Sequence, residues 1–257
     1  MATGRLSASG HAPGGAGLRD FNFAERIVMM CGSAIFAGLS EHECEEIAAC
    51  ARARTFARDE LLFMEGQPSG SLVMLHAGSV KHTQLSSNGD EVILRMSGKG
   101  DPVGIPSDLL SCGHTCSARA MEQCNASVWE YARLKDLLAK YPQIGKNISK
   151  IMSNRLDELQ ERFREVATEK VSQRLALALL RLMKQVGKPM FGGTELSLSR
   201  EELAQTVGTT LFTISRILSK WAEEGFVLPR REAVVVLDAQ RLALEGNSRD
   251  SDHLKNA

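Results

Sequence analysis

Apolar positions recur along this chain with changing periods, and the changes mark its elements. From Arg54 onward they fall in short runs: Thr55–Ala57, Glu60–Met64, Leu72–His76, Ser79–Leu85, Glu91–Met96, Ser117–Met121 and Ala126–Tyr131. Gly66, Gly70, Gly78, Gly89, Gly98, Gly100 and Gly104 punctuate these runs, and Ser87-Asn88-Gly89-Asp90 predicts a hairpin turn. Evenly spaced short strands predict an antiparallel sandwich or barrel.

Elsewhere the apolar spacing is helical. Residues 1–20 are rich in Gly, Ala and Ser and predict a disordered arm. The chain turns apolar from Ile27 to Phe36, and Ser40 with Glu43 then predicts the capped start of a helix carrying Cys44, Ile47, Ala48 and Cys50. Leu134–Lys140 reads as a short helix, and Pro142 opens a longer one. There Met152, Leu156, Leu159, Phe163 and Val166 alternate in steps of four and three, the spacing of a heptad seam, with Asn154, Arg155, Glu158, Glu161 and Arg162 around it. This predicts a dimer interface; the alternative is a helix packed on its own β-domain. Thr168 and Glu169 mark a break. A second apolar helix follows from Val171 through Leu175, Leu179 and Leu182 to Val186, ending near Gly187. Glu195–Leu198 predicts a short strand, and the chain from Glu245 on is polar. The divisions expected are an arm (1–20), a β-domain (21–141), a dimerisation helix (142–167), a C-terminal domain (168–241) and a disordered tail (242–257), in an α+β fold.

Leu198–Val227 carries the densest local signal. Ser199 with Glu202 forms a capping-box pattern, Leu203, Ala204 and Val207 give an apolar face, and Gly208 predicts a sharp turn. Thr209 or Thr210 then caps a second helix. Leu211, Ile214, Leu218 and Trp221 line its inner face, whereas Phe212, Ser215, Arg216 and Lys220 line the other. An aromatic ring, a hydroxyl, a guanidinium and an ammonium on one outer face suit phosphates and base edges in a major groove. Thr210 and Thr213 are the base-contacting alternatives, with Ser215, should Phe212 turn inward beside Trp221. Phe226–Leu228 and Ala233–Leu237 flank Pro229-Arg230-Arg231-Glu232, a β-hairpin wing with a basic tip.

Lys+Arg and Asp+Glu both total 31, so DNA affinity must come from local placement, at Ser199, Arg200, Arg216, Lys220, Arg230 and Arg231. The apolar runs are too short to span a membrane, and Met1–Leu18 lacks the apolar stretch of a secretory signal, which points to the cytoplasm and to reduced cysteines. The chain has no HxH, HExxH, P-loop or nucleophile elbow, which argues against a cupin-like metalloenzyme. Arg216 and the basic wing argue against the other alternative, a ligand- or partner-binding module that does not bind DNA.

Cys112, His114 and Cys116 share one expected loop with Cys124 a strand away, and they are candidates for a redox or metal site. No CxxC pair accompanies them; the plain alternative is small loop and core side chains. His76 and His82 lie in separate strands. Each has the chemistry of an axial haem ligand; the plain reading is a solvated strand face. Cys44 and Cys50 read as helix core.

Residues 32–241 resemble the Crp/Fnr superfamily of bacterial transcription regulators. The resemblance rests on Phe36-Ala37-Gly38-Leu39-Ser40, the glycine-punctuated strands, Gly89-Asp90-Glu91, Gly100-Asp101-Pro102-Val103-Gly104, the long helix and Thr213-Ile214-Ser215-Arg216. It implies a β-roll sensor, a dimerising helix and a winged helix-turn-helix. It also implies a homodimer on a near-palindromic operator, with RNA polymerase as a partner and effector binding transmitted through a hinge near Val166–Glu169. The residues that would bind the effector stay unassigned. Members that bind cyclic AMP carry a Gly-Glu-Leu phrase and then an Arg-Ser pair. Gly104-Ile105-Pro106 and Thr115-Cys116-Ser117-Ala118 stand here instead, which argues against cyclic AMP. The family's oxygen sensors place closely spaced cysteines before the first helix; here Cys31 stands there alone, although Ser111-Cys112-Gly113-His114 is similar to their roll. Ligand spacing thus supports neither an iron–sulfur cluster nor haem. In the family a glutamate commonly stands four residues before the recognition arginine; Phe212 occupies that position before Arg216.

Overall fold

The computed structural model describes residues 22–105 and 113–247. The expected arm over residues 1–20, Cys112 and the last ten residues lie outside that range. The N-terminal half begins with helix α1 (Phe23–Cys31), a 3₁₀ turn (Ala34–Phe36) and α2 (Glu41–Ala49). Eight strands follow: β1 (Arg52–Phe56), β2 (Leu61–Phe63), β3 (Ser71–Ala77), β4 (Val80–Leu85), β5 (Glu91–Ser97), β6 (Pro102–Val103), β7 (Ser117–Ala120) and β8 (Cys124–Glu130). Helices α3 (Tyr131–Lys140), α4 (Pro142–Thr168) and α5 (Val171–Val186) lead to the C-terminal part. That part holds β9 (Lys188–Met190), β10 (Gly193–Leu196), α6 (Arg200–Val207), α7 (Leu211–Glu223), β11 (Val227–Pro229), β12 (Val234–Val236) and α8 (Ala239–Asn247).

The first eight strands form two four-stranded antiparallel sheets, ordered β1-β8-β3-β6 and β2-β7-β4-β5. Phe56, Val73, Leu75, Val80, Val103 and Ala126 fill the space between them. A second core joins α1, α2, α3 and the start of α4 to the outside of this roll through Phe36, Ile47, Trp129, Leu134 and Ile144. The Trp129 indole N–H donates to the Ile47 carbonyl at 2.8 Å, so the largest side chain of that core carries no unpaired donor. Asn147 of α4 donates to the carbonyls of Ile35 (3.0 Å) and Ala37 (2.8 Å), fixing the long helix to the 3₁₀ turn.

The third core belongs to the C-terminal part, where Leu175, Leu179, Leu182, Leu203, Ile214, Leu218 and Trp221 pack over the sheet β11-β12-β10-β9. Ile93 and Met96 of β5 are buried in this same core. The roll and the C-terminal part therefore share apolar surface instead of hanging from a free hinge. Gly98 permits the contact: a Cβ there would stand 2.3 Å from the Gln185 carbonyl oxygen at the end of α5. Lys81 of β4, largely buried, reaches Glu91 (3.6 Å) and Glu202 of α6 (3.5 Å).

Several expectations need correction. The apolar stretch Ile27–Phe36 is mostly helix: α1 starts at Phe23 behind an Asn22–Glu25 capping box. The expected tail over 242–257 is helical as far as Asn247. Leu242 of α8 is buried in the third core, and the Asp238 carboxylate accepts from the Gln240 and Arg241 amides at 2.9 Å each. Strand β9 was not anticipated. Cys50 is exposed at the end of α2, unlike the buried Cys44.

Gly98→Ala should force β5 and α5 apart, at a cost of about 1–3 kcal/mol. Denaturant unfolding measures it; a change within about 0.5 kcal/mol, the size seen for surface substitutions, would mean that the two parts do not dock here.

Candidate nucleic-acid interface and sensor cavity

The helix-turn-helix forms as its local chemistry dictates. The Ser199 hydroxyl accepts from the Glu202 amide (3.2 Å), and the Glu202 carboxylate accepts from the Ser199 amide (2.9 Å). Gly208 ends α6 at φ 71°, a left-handed turn that a Cβ disfavours. The Thr210 hydroxyl then accepts from the Thr213 amide and caps α7. Ile214, Leu218 and Trp221 face inward. Leu211 does not: it lies in the first turn, beyond the edge of the core, and is 42% exposed.

Phe212 projects outward at 83% exposure, and the ring that meets Trp221 is Phe226, at a centroid distance of 5.5 Å. Arg216, one turn further along the same face, is exposed and has no hydrogen bond or ion pair among the described residues. Lys220 is exposed and lies 3.7 Å from Glu224. Thr210 is exposed, and Thr213 and Ser215 are half-buried; the hydroxyls of Thr210 and Thr213 bond each other at 3.0 Å. Of the remaining predicted contacts, Ser199 is engaged as the cap, Arg200 is half-buried, and Arg230 pairs with Glu195 at 2.6 Å. Arg231 stands exposed beside it in the wing.

On α4, Met152, Leu156, Leu159, Phe163 and Val166 are all exposed, Phe163 at 76%. The alternative of a helix burying this stripe on its own roll is therefore wrong: the neighbouring side of α4, from Ile144 and Asn147 to Arg155, Arg162 and Glu165, faces the protein, and Met152 and Leu159 stand at its edge. Glu165 is buried and paired with Arg181 of α5 at 2.9 Å, which ties the two helices across their junction.

A cavity of about 540 Å³ opens between the roll, α4 and α5. Phe63, His82, Arg95, Ile105, His114 and Cys116 line it from the roll, and Arg155, Glu158, Leu159, Arg162 and Leu182 from the helices. His82 is buried, which corrects the solvated-face reading. Its Nδ1 lies 3.3 Å from an Arg95 guanidinium nitrogen, and its Nε2 lies 3.0 Å from the Ser97 hydroxyl. A guanidinium only donates, so Nδ1 carries a lone pair and the proton sits on Nε2. Burial, with Arg95 and Arg155 nearby, holds this imidazole neutral, its pKa well below the ordinary value. His76 is likewise buried, Nε2 lying 2.7 Å from the Ser127 hydroxyl, and burial with Arg26 and Lys99 lowers its pKa to about 4.

Arg162 joins the cavity to the helix-turn-helix. Its guanidinium donates to the Leu94 carbonyl, to the Ile93 carbonyl at 3.3 Å and to the Thr206 carbonyl in the last turn of α6 at 3.2 Å. A cation there satisfies a carbonyl that the helix leaves open and complements the helix dipole. Arg95, Arg155 and Arg162 are the residues that sequence reading passed over. Arg155 and Arg162 stand seven apart, on one stripe of α4 flanking the apolar seam, and that spacing was the available signal.

Of the predicted cysteine–histidine cluster, Cys112 lies outside the described residues, and His114, Cys116 and Cys124 do not converge. Among the described residues, no three His, Cys, Asp or Glu come together in a way that could hold a metal ion. His114 stacks on Phe63 (centroids 3.7 Å apart, 12° between planes), and the Cys116 sulfur lies 3.9 Å from His82 Nδ1. The Cys124 thiol is buried elsewhere, donating to the Ser79 (3.4 Å) and Glu122 (3.3 Å) carbonyls. Burial raises the pKa of both thiols, that of Cys124 to about 11, which is opposite to what a reactive thiolate requires.

A β-roll with a lined cavity, a long helix with an exposed apolar stripe and a capped helix-turn-helix with a wing define a sensor joined to a DNA-binding domain. Residues 53–141 match the cyclic nucleotide-binding domain family and residues 173–244 the Crp-like helix-turn-helix domain family. The chain belongs to the Crp/Fnr superfamily of transcription regulators, a family of regulators and not of enzymes. It is 25% identical over 217 residues to a CRP-like cAMP-activated global transcriptional regulator of Mycobacterium tuberculosis, covering 84% of this chain and 97% of that one. It is 26% identical over 217 residues to the fumarate and nitrate reduction regulatory protein of Salmonella typhimurium, covering 82% and 86%. Among solved structures, the c-di-GMP-responsive regulator CLP of Xanthomonas campestris superimposes with a TM-score of 0.66 at 26% identity, covering 77% of this chain and all of that one. No helix among the described residues is long and apolar enough to cross a membrane.

The buried histidines give stability a pH dependence. Both imidazoles are depressed below 6.5 in the fold, so the unfolded chain takes up protons first as pH falls. Their contribution is complete above about 6.5 and declines below it, and for His76 the loss is complete near 4. The thermal midpoint should fall across this window and fall less steeply in His76→Gln; equal slopes for the two proteins would contradict the assignment.

Proposed function

We propose that this chain is a homodimeric, effector-gated transcription regulator that reads a near-palindromic operator in the cytoplasm, with RNA polymerase as its partner at the promoter. Residues 21–141 serve as sensor and 142–167 as dimerising helix. The DNA-binding domain starts at 168 and, with α8, extends past 241. The exposed Met152, Leu156, Leu159, Phe163 and Val166 stripe supports the dimer, because five apolar side chains at heptad spacing favour a matching helix over water. Two α7 helices would then meet successive major grooves about one turn apart.

One observation carries the DNA reading: α7 presents Phe212 and an unpaired Arg216, one turn apart, on its outer face. Arg216 suits a bidentate contact to guanine O6 and N7. Phe212 offers no acceptor to a base amino group and suits a thymine methyl. Ser199, Arg200, Thr210, Thr213, Ser215, Lys220, Arg230 and Arg231 serve as supporting phosphate and base contacts.

Gating runs through Arg162. It lines the cavity and bonds both β5 and the end of α6, so a ligand that draws on this guanidinium or shifts β5 changes how α6 is held. Ile105 and Cys116 face the cavity at the positions where cyclic AMP binders of the family carry Glu and Arg-Ser, which favours a different effector.

Binding-site selection with wild type, Arg216→Ala and Phe212→Glu tests the reading. Arg216→Ala should lose about 1–3 kcal/mol and relax one guanine position, and Phe212→Glu should shift the selected bases next to it. The same motif from all three proteins would refute this use of α7.

A further inference from the structure

This inference rests on reading the cavity as the effector site and concerns the chemistry of what fills it. Four guanidinium groups line the cavity. Arg181 is neutralised by Glu165. Arg95, Arg155 and Arg162 form no ion pair among the described residues, and what they bond is uncharged. Arg95 donates to the Ser97 hydroxyl at 2.7 Å and to neutral His82. Arg155 donates to the Pro102 carbonyl at 2.8 Å, and Arg162 to three backbone carbonyls. Burial lowers the pKa of each, that of Arg95 to about 10 with Arg155 adding to the effect, and a group with that value still carries its full charge at neutral pH.

The anions in reach compensate incompletely. Glu158 lines the cavity. Asp101 lies in a smaller adjoining space of about 210 Å³, where its carboxylate accepts from the Gly98 amide at 2.9 Å and burial raises its pKa. Cys116 is held as a thiol. Among the described residues, three half-buried guanidinium charges face one lining carboxylate, an excess of positive charge beside apolar walls, where a charge interacts more strongly than in open water. The rest of the lining is mainly apolar: Phe63, Ile93, Ile105, Met152, Leu159 and Leu182.

We propose that the cavity binds a small organic monocarboxylate, with the carboxylate against Arg95 and Arg155 and the apolar body against Phe63, Ile105 and Met152. The planar guanidinium fork matches a carboxylate, and a volume of about 540 Å³ lies within the range of small-molecule sites. An apolar body suits the lining better than a free phosphate does, because phosphate would leave Phe63, Ile105 and Met152 facing empty or wet space. Arg162 lies on the same wall, so the bound acid sits beside the group that holds α6.

The test is calorimetry on the full-length protein with benzoate, phenylacetate, phenylpropionate and octanoate, each against its amide, and with inorganic phosphate. At least one acid should bind at least about tenfold more tightly than its amide, the scale expected for a charge-assisted contact. That preference should vanish in Arg95→Gln and in Arg155→Gln. The wild-type comparison decides the matter even if either variant misfolds. Failure of every acid to exceed its amide, or phosphate binding as tightly as the best acid, would overturn the proposal. A gel shift on the same preparation separates the two readings. DNA binding without acid preference sinks only the carboxylate; acid preference without DNA binding sinks the regulator reading and leaves the carboxylate site standing.

Discussion

The arrangement depends on how α6, the first helix of the helix-turn-helix, is gripped at both ends by the rest of the chain. At its N-terminus Lys81 of the roll reaches Glu202, the residue that also closes the helix's capping box. At its C-terminus Arg162 of α4 caps the Thr206 carbonyl while holding Ile93 and Leu94 of β5. Between these grips, Ile93 and Met96 pack into the core that Leu203, Ala204 and Val207 share with α5. A surface ion pair would contribute little. A half-buried guanidinium shared by three carbonyls is different, because removing it takes the donor from three acceptors at once.

That grip gives the cavity a physical route to DNA. The wall formed by Ile93, Leu94, Arg95 and Met96 is lining on one side and, at Ile93 and Met96, dock for α6 on the other. A ligand with unequal affinity for the docked and released arrangements shifts the balance between them by that difference. By linkage, operator DNA that prefers one arrangement changes ligand affinity by the same factor. No separate pathway of residues is needed, since Arg162 belongs to both sites.

Much of the fold was legible because its signals are local. The Ser40–Glu43 and Ser199–Glu202 boxes, Gly208 and the heptad stripe act within a few residues of themselves and lie where the sequence places them. The same logic was available for α1 and α8, whose caps at Asn22 and Asp238 are as plain and whose helices are no shorter than α2 and α6. What stayed hidden depends on distant partners. His76 is buried because its strand is covered on both faces, which erases the two-residue alternation, and His82 because Arg95 and Ser97 of β5 and the side chains of α4 close over it. Arg155 and Arg162 read as solvated flanks of a seam until β5, β6 and α6 are brought against them. Cys124 stood near Cys116 in sequence, but its thiol is turned to the Ser79 and Glu122 carbonyls.

Hydrogen exchange on wild type and Arg162→Ala tests the central claim most directly. If Arg162 holds α6 to β5, the amides of both elements lose protection together in the variant, while β1 and β8 on the far sheet keep theirs. Unchanged protection in α6 would contradict the account, because the helix would then be held by its own domain alone.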